Sequence, residues 1–339
     1  MKSPTRPRPA GEDVAVVIAA YNAVATVAVA TRSALAQGEA TEVWVVDDGS
    51  TDGTAEAAEA CEDGTGRLRV IRQAINGGPS AARNVALEGT RATWICVLDA
   101  DDRFTSGRLA KLLAAAGDAE LVADAIVRVA SLTDDPLANV AAAASPLNWT
   151  GIDLAGFIEG NVSRRGRQRE ELGFIKPLMS TAFLRRHRIR YDPDLRLGED
   201  FLLYAQVLAH GGRLRLGPPC GYLALTRVDS LSGRHSIQDL AALRNCTAML
   251  GRIRTLTPAE RSAIRRHWRS VDDRLQWRRL IEAVKSRNAG AALSAFHDLR
   301  AAIGLFGKLA EQAWLRGHRR LSFARKPGDR ESRTTSPGA

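Results

Sequence analysis

Short apolar runs alternate with amphipathic segments along the first 100 residues of the chain. Four runs are rich in β-branched or aromatic residues, as is typical of buried strands, and the first three are each followed by a segment of helical periodicity. The predicted strands are Val14–Ala20, Val43–Val46, Leu68–Arg72 and Thr93–Leu98. The predicted helices are Val24–Leu35, Thr54–Cys61 and Ser80–Leu87. This repeated order predicts an α/β fold with a mostly parallel central sheet flanked by helices.

Polar residues cluster at the ends of three of these strands. Tyr21 and Asn22 follow the first strand, and an acidic turn over Asp47–Asp52 follows the second. Three carboxylates follow the fourth strand: Asp99, Asp101 and Asp102. The carboxyl ends of parallel strands meet at one edge of an open α/β sheet, which is where such sheets bind ligands. We therefore expect the three clusters to converge.

The three carboxylates after the fourth strand need a partner of opposite charge. Anions so close together repel one another unless a cation or hydrogen-bond donors satisfy them. Oxygen ligands suit Mg²⁺ or Mn²⁺, which typically bridge to the phosphates of a substrate. The pattern therefore predicts a site for a nucleotide and a metal. The alternative is that the clusters only begin helices, with Asp52 capping a helix from Thr54 and Asp102 capping one over Leu109–Ala116.

Two further carboxylates precede a helical pattern in the second half of the chain. Glu199 and Asp200 follow Gly198 and come directly before a predicted helix over Phe201–Ala209. A carboxylate within hydrogen-bond reach of a hydroxyl can remove its proton. The pair is therefore a candidate general base, Asp200 first and Glu199 second. The alternative is that these anions only stabilise the N-terminus of the helix.

The pattern divides the chain into a large α/β domain and a helical extension. The domain covers residues 13–235, with a first half over 13–130 and a second half over 151–235. The second half contains two more predicted strands, a short one at Arg190-Tyr191 and an edge strand within Gly211–Leu216.

A basic helical extension is predicted over residues 236–324, where Pro258 marks the start of one helix. Its predicted helices are Ile237–Ile253, Pro258–Ser286, Ala289–Ile303 and Leu305–Arg320. The polar residues 1–12 and 325–339 are expected to be a disordered leader and a disordered tail.

The net charge of +10 is placed unevenly along the 339 residues. Residues 251–339 hold 20 Lys and Arg against 8 Asp and Glu. The basic helices contain few aromatic residues and no nucleic-acid-binding motif, so an anionic membrane surface is a better partner for them than nucleic acid. The alternative is that the helices pack on the domain and their basic face is only solvated.

Two absences in the sequence bear on where the protein works. The chain has no uninterrupted run of 18 apolar residues, so no transmembrane helix is expected. Its four cysteines lie far apart, which favours reduced thiols. We expect a cytoplasmic protein that attaches peripherally to the inner face of the membrane.

Five motifs in order resemble glycosyltransferase family 2, over about residues 13–235. They are Ala20-Tyr21-Asn22, the segment Val46–Thr54, Asn76–Asn84, Leu98–Asp102 and Gly198-Glu199-Asp200. Ser230-Leu231-Ser232, with Arg227 before it, is similar to a late loop of the family. The order and spacing resemble bacterial exopolysaccharide enzymes of the succinoglycan type. The family usually has proline where this chain has Ala20, a change that removes no functional group.

The resemblance implies the GT-A nucleotide-sugar-binding fold and an inverting, metal-dependent transfer. Residues 13–130 are then the nucleotide-binding half and residues 151–235 the acceptor half. The donor is then a nucleoside diphosphate sugar, with UDP-sugars and UDP-glucose as the narrower expectations. The acceptor is a polysaccharide or a lipid-linked oligosaccharide.

The resemblance also implies a role for each motif residue. Asp48 accepts a hydrogen bond from the base, Arg83 lies against it, and the pocket is completed by Ala20, Tyr21 and Asn22. The Asp99-Ala100-Asp101 segment binds donor and metal, with Asp99 at the ribose and Asp101 on Mg²⁺ or Mn²⁺. Asp102 ligates through water or caps the next helix. Asp200, or Glu199, takes the proton of the acceptor.

Other readings of the residues stay open. A sugar-1-phosphate nucleotidyltransferase is disfavoured because the first strand is not followed by a glycine-rich basic loop. A non-catalytic binding module is disfavoured because Asp99, Asp101 and Asp200 are all present. Lys176, Arg227 and His235 are weaker candidates, the last two for contacts with the diphosphate.

Overall fold

The structure is a computed structural model that describes residues 12–133, 148–162, 170–226, 235–253, 255–294 and 296. The strands are β1 Val14–Ala20, β2 Ala40–Asp47, β3 Leu68–Arg72, β4 Trp94–Val97, β5 Arg103–Phe104, β6 Leu121–Asp124, β7 Val127–Val129, β8 Thr150–Ile152, β9 Leu178–Ser180, β10 Leu214–Gly217 and β11 Tyr222–Leu225.

The helices are α1 Val27–Leu35, α2 Thr54–Glu59, α3 Pro79–Gly89, α4 Arg108–Ala116, α5 Leu154–Gly160, α6 Thr181–Arg186, α7 Glu199–Ala209, α8 Ile237–Leu250, α9 Pro258–Lys285 and α10 Ala289–Ser294. A short 3₁₀ helix spans Leu172–Phe174.

Eight strands form the main sheet, in the order β3-β2-β1-β4-β9-β6-β10-β8. The first four run parallel, β9 runs antiparallel between β4 and β6, and β10 is again parallel to β6. A second sheet has the order β5-β11-β7. The α/β fold with a mostly parallel sheet and flanking helices is therefore confirmed.

The centre of the sheet is the hydrophobic core. Val14, Ala15, Val16, Val17 and Ile18 are all fully buried, so β1 is covered on both of its faces. This burial explains why the strand is a continuous apolar run and not an alternation of apolar and polar residues. The bounds of β1 and β3 are those predicted from the pattern.

Two predicted strands differ in the structure. Residues Arg190-Tyr191 form no strand, because the side chain of Asn84 pairs with the backbone there. It accepts from the Tyr191 N–H at 3.0 Å and donates to the Tyr191 carbonyl at 2.9 Å. The strand predicted within Gly211–Leu216 exists as β10, but it lies between β6 and β8 and is not at the edge.

The helix predicted after Glu199 and Asp200 begins earlier than expected. Both carboxylates belong to the first turn of α7, behind Gly198 with a φ of +77°. A Cβ at Gly198 would lie 2.9 Å from Leu243 of α8, so α8 packs closely on the start of α7. The anions are therefore well placed to stabilise the helix N-terminus, whatever else they do.

The C-terminal helices divide between two compact units, residues 1–271 and residues 272–339. In the first unit, α8 begins with a capping box of Ser236 and Asp239. In the second unit, Leu280 packs with Trp277, Ala292 and Phe296. The remainder of the helices predicted over 289–303 and 305–320, the tail over 325–339 and nearly all of the leader lie outside the described residues. Within the part of the chain that is described, no helix has the length and apolar character needed to cross a membrane.

A fully buried ion pair joins α4 to β6. Arg108 Nη2 lies 2.7 Å from Asp124 Oδ1, and neither side chain is exposed. The other oxygen of Asp124 accepts from the backbone N–H groups of Cys220, Gly221 and Tyr222 at 2.9–3.2 Å. Burial disfavours the charged form of both side chains, but the attraction between the two opposite charges outweighs this penalty. The pKa of Asp124 is therefore lowered and the pKa of Arg108 is raised. The turn before β11 is thus fixed by a carboxylate with four partners.

We predict that Arg108→Met lowers the free energy of unfolding by about 3–5 kcal/mol, because it leaves a buried carboxylate without its cation. Urea denaturation followed by circular dichroism measures the change. The control is Arg213→Met, because Arg213 pairs with Asp118 at the surface, where both side chains are more than half exposed. An equal loss in the two variants would contradict the prediction, since exposed ion pairs contribute little.

Candidate active site

The loops that follow β1, β2 and β4 meet at one edge of the main sheet. Ala20 at the end of β1 is paired with Asp47 at the end of β2. The Asp48 N–H donates to the Ala20 carbonyl at 2.8 Å, so the ladder continues into the loops. The convergence expected from the sequence is therefore present.

Side chains tie the first two loops together. The Asn22 N–H donates to Ser50 Oγ at 2.9 Å, and Asn22 Oδ1 accepts from the Thr51 N–H at 3.0 Å. Asp52 accepts from the Val24 N–H at 3.1 Å and also from Thr54. Asp52 therefore holds the loop after β1 and also accepts a hydrogen bond from the first residue of α2. Tyr21, beside this junction, is about half exposed.

Asp48 fixes a third loop at the same edge. Its carboxylate is buried and accepts from the Gly77 N–H at 2.8 Å and the Gly78 N–H at 2.7 Å. Gly49, with a φ of +76°, lies so close to this loop that a Cβ would be 3.1 Å from the Asn76 nitrogen. A carboxylate offers about four lone-pair sites, so two remain for a ligand. The contact of Asp48 with a base stays a prediction.

The acidic loop after β4 is braced by the second sheet. The Tyr222 hydroxyl of β11 donates to Asp102 Oδ2 at 2.8 Å and accepts from the Asp99 N–H at 3.2 Å. The other oxygen of Asp102 accepts from the Leu225 N–H at 2.9 Å. Burial, together with the charges of Asp99 and Asp101, raises the pKa of Asp102 to about 7. Asp102 is only 6% exposed, and this geometry favours a role in positioning the loop. Its role as a metal ligand stays a prediction.

A closed ring of charge lies next to this loop. Arg83 of α3 contacts Asp99 Oδ1 at 3.0 Å and Asp200 Oδ1 at 3.3 Å. Lys176 contacts the opposite oxygens, Asp99 Oδ2 at 3.0 Å and Asp200 Oδ2 at 2.6 Å. Glu199 joins the ring through a 3.1 Å contact with Arg83. Three of the predicted donor-binding or catalytic carboxylates thus contact Arg83, and two of them, those of Asp99 and Asp200, also contact Lys176.

The two cations of this ring are firmly charged. Burial opposes the charge of Arg83 and of Lys176, but Asp200 and Asp99 outweigh it, so the pKa of each cation is raised. The Arg83 guanidinium also lies 5.2 Å from the centre of the Tyr191 ring. The predicted contact of Arg83 with a base stays a prediction, since the structure shows its guanidinium among carboxylates.

The chemistry of the acidic loop fits a divalent cation that is completed by substrate. In the described ranges, no group of three or more His, Cys, Asp and Glu side chains is already arranged to hold a metal. Mg²⁺ in nucleotide sites needs only one or two carboxylates, because substrate phosphates and water supply the other ligands. Asp101, half-buried next to Ala100, and Asp99, whose side chain is about one-third exposed, can provide them.

Sequence reasoning missed two of the residues that build this site and gave a third too little weight. Lys176 was a weaker candidate, while Tyr222 and Arg108 carried no motif at all. No local signal identifies them, because their partners are between 16 and 123 residues away in sequence. Arg227 lies outside the described residues, and His235 lies just before α8.

Comparisons with known proteins agree on one family. The model for Glycosyl transferase family 2 matches residues 15–171. The succinoglycan biosynthesis protein ExoU of Rhizobium meliloti (strain 1021) is 46% identical over 286 residues, covering 83% of this chain and 81% of ExoU. ExoO of the same organism is 34% identical over 290 residues, covering 84% of this chain and 82% of ExoO.

Two solved structures have a similar fold. S. aureus TarS 1–349 in complex with UDP-GlcNAc has a TM-score of 0.59 at 17% identity, covering 86% of this chain and 92% of TarS 1–349. The mannosyltransferase PcManGT from Pyrobaculum calidifontis, in complex with GDP-Man and Mn²⁺, has a TM-score of 0.54 at 19% identity. That match covers 91% of this chain and 83% of PcManGT.

We predict that Asp101→Ala and Asp102→Asn behave differently. Asp101→Ala removes a predicted metal ligand and should weaken Mn²⁺-dependent binding of UDP at least ~30-fold. Asp102→Asn keeps an acceptor for the Leu225 N–H and should change this binding less than ~5-fold. Isothermal titration calorimetry with UDP, with and without Mn²⁺, measures both. If the two variants lose metal-dependent binding equally, Asp102 is a ligand and not a positioning residue.

Proposed function

The chain belongs to glycosyltransferase family 2, and we propose that it transfers a sugar, with inversion, from a UDP-sugar to a polysaccharide or lipid-linked oligosaccharide. The observation that carries this proposal is the contact of one guanidinium, Arg83, with a carboxylate of the loop after β4 and a carboxylate of α7. Asp99 belongs to the loop predicted to bind the donor, and Asp200 belongs to the segment predicted to hold the base. Similarity to ExoU and ExoO supports UDP-glucose as the donor to test first.

The donor side is built from the loops after β1, β2 and β4. In the proposed complex, Asp48 accepts from the base, Tyr21 and Asn22 line the base pocket, and Asp99 accepts from the ribose. Asp101, with Asp99, would hold Mg²⁺ or Mn²⁺. The metal supplies positive charge to the departing diphosphate, which is stabilisation where negative charge develops.

The acceptor side is the start of α7. The acceptor hydroxyl attacks the anomeric carbon as the bond to the diphosphate breaks, and its proton passes to a carboxylate. Asp200 is the proposed base and Glu199 the second choice. Both oxygens of Asp200 are held by cations, yet each keeps a lone pair for the acceptor hydroxyl. A single direct displacement inverts the anomeric centre and needs no glycosyl-enzyme.

Product analysis tests the proposed reaction. The full chain is incubated with a panel of UDP- and GDP-sugars and with membrane extract as the source of acceptor, with Mn²⁺ or with EDTA. We expect release of nucleoside diphosphate and labelled glycan with one or a few donors, only when Mn²⁺ or Mg²⁺ is present. Formation of nucleoside triphosphate from pyrophosphate would indicate a nucleotidyltransferase, and full turnover in EDTA would exclude a metal-dependent transfer.

We predict that Asp200→Asn lowers kcat at least ~100-fold while changing the donor KM less than ~3-fold, because a general base acts in the transition state and not on the bound donor. Glu199→Gln is the matched variant, since it removes the neighbouring carboxylate with an equally conservative change. If Glu199→Gln loses activity and Asp200→Asn keeps it, the base is Glu199.

We also propose that basic residues near the C-terminus attach the enzyme to anionic lipid, where a lipid-linked acceptor is presented. Residues 297–339 contain 9 Lys and Arg against 4 Asp and Glu. Basic residues gain about 1 kcal/mol each beside an acidic membrane, and salt screens this attraction.

Flotation with liposomes that contain phosphatidylglycerol tests this attachment. The full chain should float at low salt and sink at high salt, and a chain ending after Phe296 should bind several-fold less. This truncation keeps α8 and α9, and circular dichroism checks that it remains folded. A full-length chain that ignores anionic liposomes at low salt would leave the basic residues without a lipid-binding role.

A further inference from the structure

We propose that Lys176 is a positioning residue that holds the carboxylate of Asp200 in place against the donor side of the site. The inference rests on the proposed function, because it assigns Asp200 as the base and Asp99 as a donor ligand. It adds a residue outside the motifs that carry the family resemblance.

The first argument is the connectivity of the ring. Each of the two carboxylates gives one oxygen to Arg83 and the other to Lys176, so both oxygens of each are fixed. A carboxylate held on one oxygen can still rotate about its last bond, whereas one held on both oxygens cannot. Lys176 therefore supplies the second constraint on Asp200, and its 2.6 Å contact is the shorter of the two.

The second argument is how firmly Lys176 itself is mounted. Its carbonyl accepts from Arg108 Nη2 at 2.6 Å, and Arg108 belongs to the fully buried pair with Asp124. Two residues later β9 begins, and Leu178 is paired with Cys96 of β4. The ammonium group thus projects from backbone that is fixed by a buried ion pair and by the main sheet.

The third argument is that stability alone does not account for this lysine. A buried ion pair contributes little net stability, because the desolvation of both charges offsets their attraction. Lys176 is 5% exposed, so it has lost nearly all of its hydration. What Lys176 contributes is geometry: an ammonium can donate three hydrogen bonds, and two of those of Lys176 go to the carboxylates of Asp99 and Asp200.

Removing the charge of Lys176 would unbalance the ring. Arg83 would then face three carboxylates alone, those of Asp99, Glu199 and Asp200. Of its two cation contacts, Asp200 would keep the 3.3 Å contact with Arg83, which is the longest ion pair that Arg83 makes. We expect its carboxylate to turn away from the position that the acceptor hydroxyl needs, while Asp99 keeps its 3.0 Å contact with Arg83.

The test substitutes Lys176→Met in the full chain, with Lys111→Met as the matched control. Lys111 is half-buried, and its ammonium contacts only the Cys220 carbonyl among the contacts described, at 3.4 Å. With the donor and acceptor identified for the wild type, we expect Lys176→Met to lower kcat at least ~30-fold with the donor KM changed less than ~3-fold. Lys111→Met should change both less than ~2-fold.

A double-mutant cycle then shows whether Lys176 acts through Asp200. In the Asp200→Asn background, Lys176→Met should lower kcat less than ~3-fold, because the group that it positions has already lost its basicity. Binding of UDP in the presence of Mn²⁺, measured by calorimetry, should stay within ~3-fold of the wild type in Lys176→Met. A residue with a merely structural role would produce neither pattern.

Several outcomes would overturn the proposal. They are a wild-type kcat in Lys176→Met, a loss confined to the donor KM, and an undiminished effect in the Asp200→Asn background. Should Lys176→Met not fold, Lys176→Gln, which keeps a hydrogen-bond donor, is measured with the same expectations. If neither neutral variant folds, Lys176 is a structural residue and the proposal is wrong. Absence of any transfer by the wild type would instead contradict the proposed function.

Discussion

The buried ion pair of Arg108 and Asp124 links three parts of the chain that are distant in sequence. Asp124 holds the turn before β11 through three backbone N–H groups, and this turn places the Tyr222 hydroxyl between Asp102 and the Asp99 N–H. Arg108 holds the Lys176 carbonyl, and Lys176 holds Asp200. The positions of the donor side and of the acceptor side therefore both depend on one ion pair in the protein interior. Separating these two buried charges would carry a large free-energy penalty.

The ring of charged side chains around Arg83 and Lys176 contains more carboxylates than cations. Three carboxylates meet two cations, so the described ring carries one net negative charge. A diphosphate alone would bring further negative charge to such a site, whereas a diphosphate that arrives with a divalent cation adds almost none. Asp200 thus contacts two cations, while the ring as a whole keeps its net negative charge. The charges of the site thus favour a donor that binds as a metal complex, which agrees with the acidic loop predicted to hold Mg²⁺ or Mn²⁺.

Features that depend on local sequence were predicted well, and features that depend on distant partners were not. The strands β1 and β3 have the predicted bounds because a buried strand must be an apolar run. The three-residue strand β9 was not predicted, because so short a segment shows no periodic pattern of apolar residues. It nevertheless lies between β4 and β6, and it begins two residues after Lys176. Asp102 shows the same limit: its position in the acidic loop suggests a metal ligand, and its partners Tyr222 and Leu225 are more than 100 residues away in sequence.

For the C-terminal helices, the sequence alone presented packing on the domain and attachment to a membrane as alternatives. Phe201, next to Asp200, stacks between Phe157 of α5 and His267 of α9, at centroid distances of 5.6 and 4.3 Å. The Thr247 hydroxyl of α8 donates to the Leu243 carbonyl and lies 3.3 Å from His267 Nδ1. The early part of the extension is therefore packed on the helix that bears the proposed base. The proposed lipid contact needs only the basic residues beyond it, so packing on the domain and attachment to a membrane are compatible within one extension.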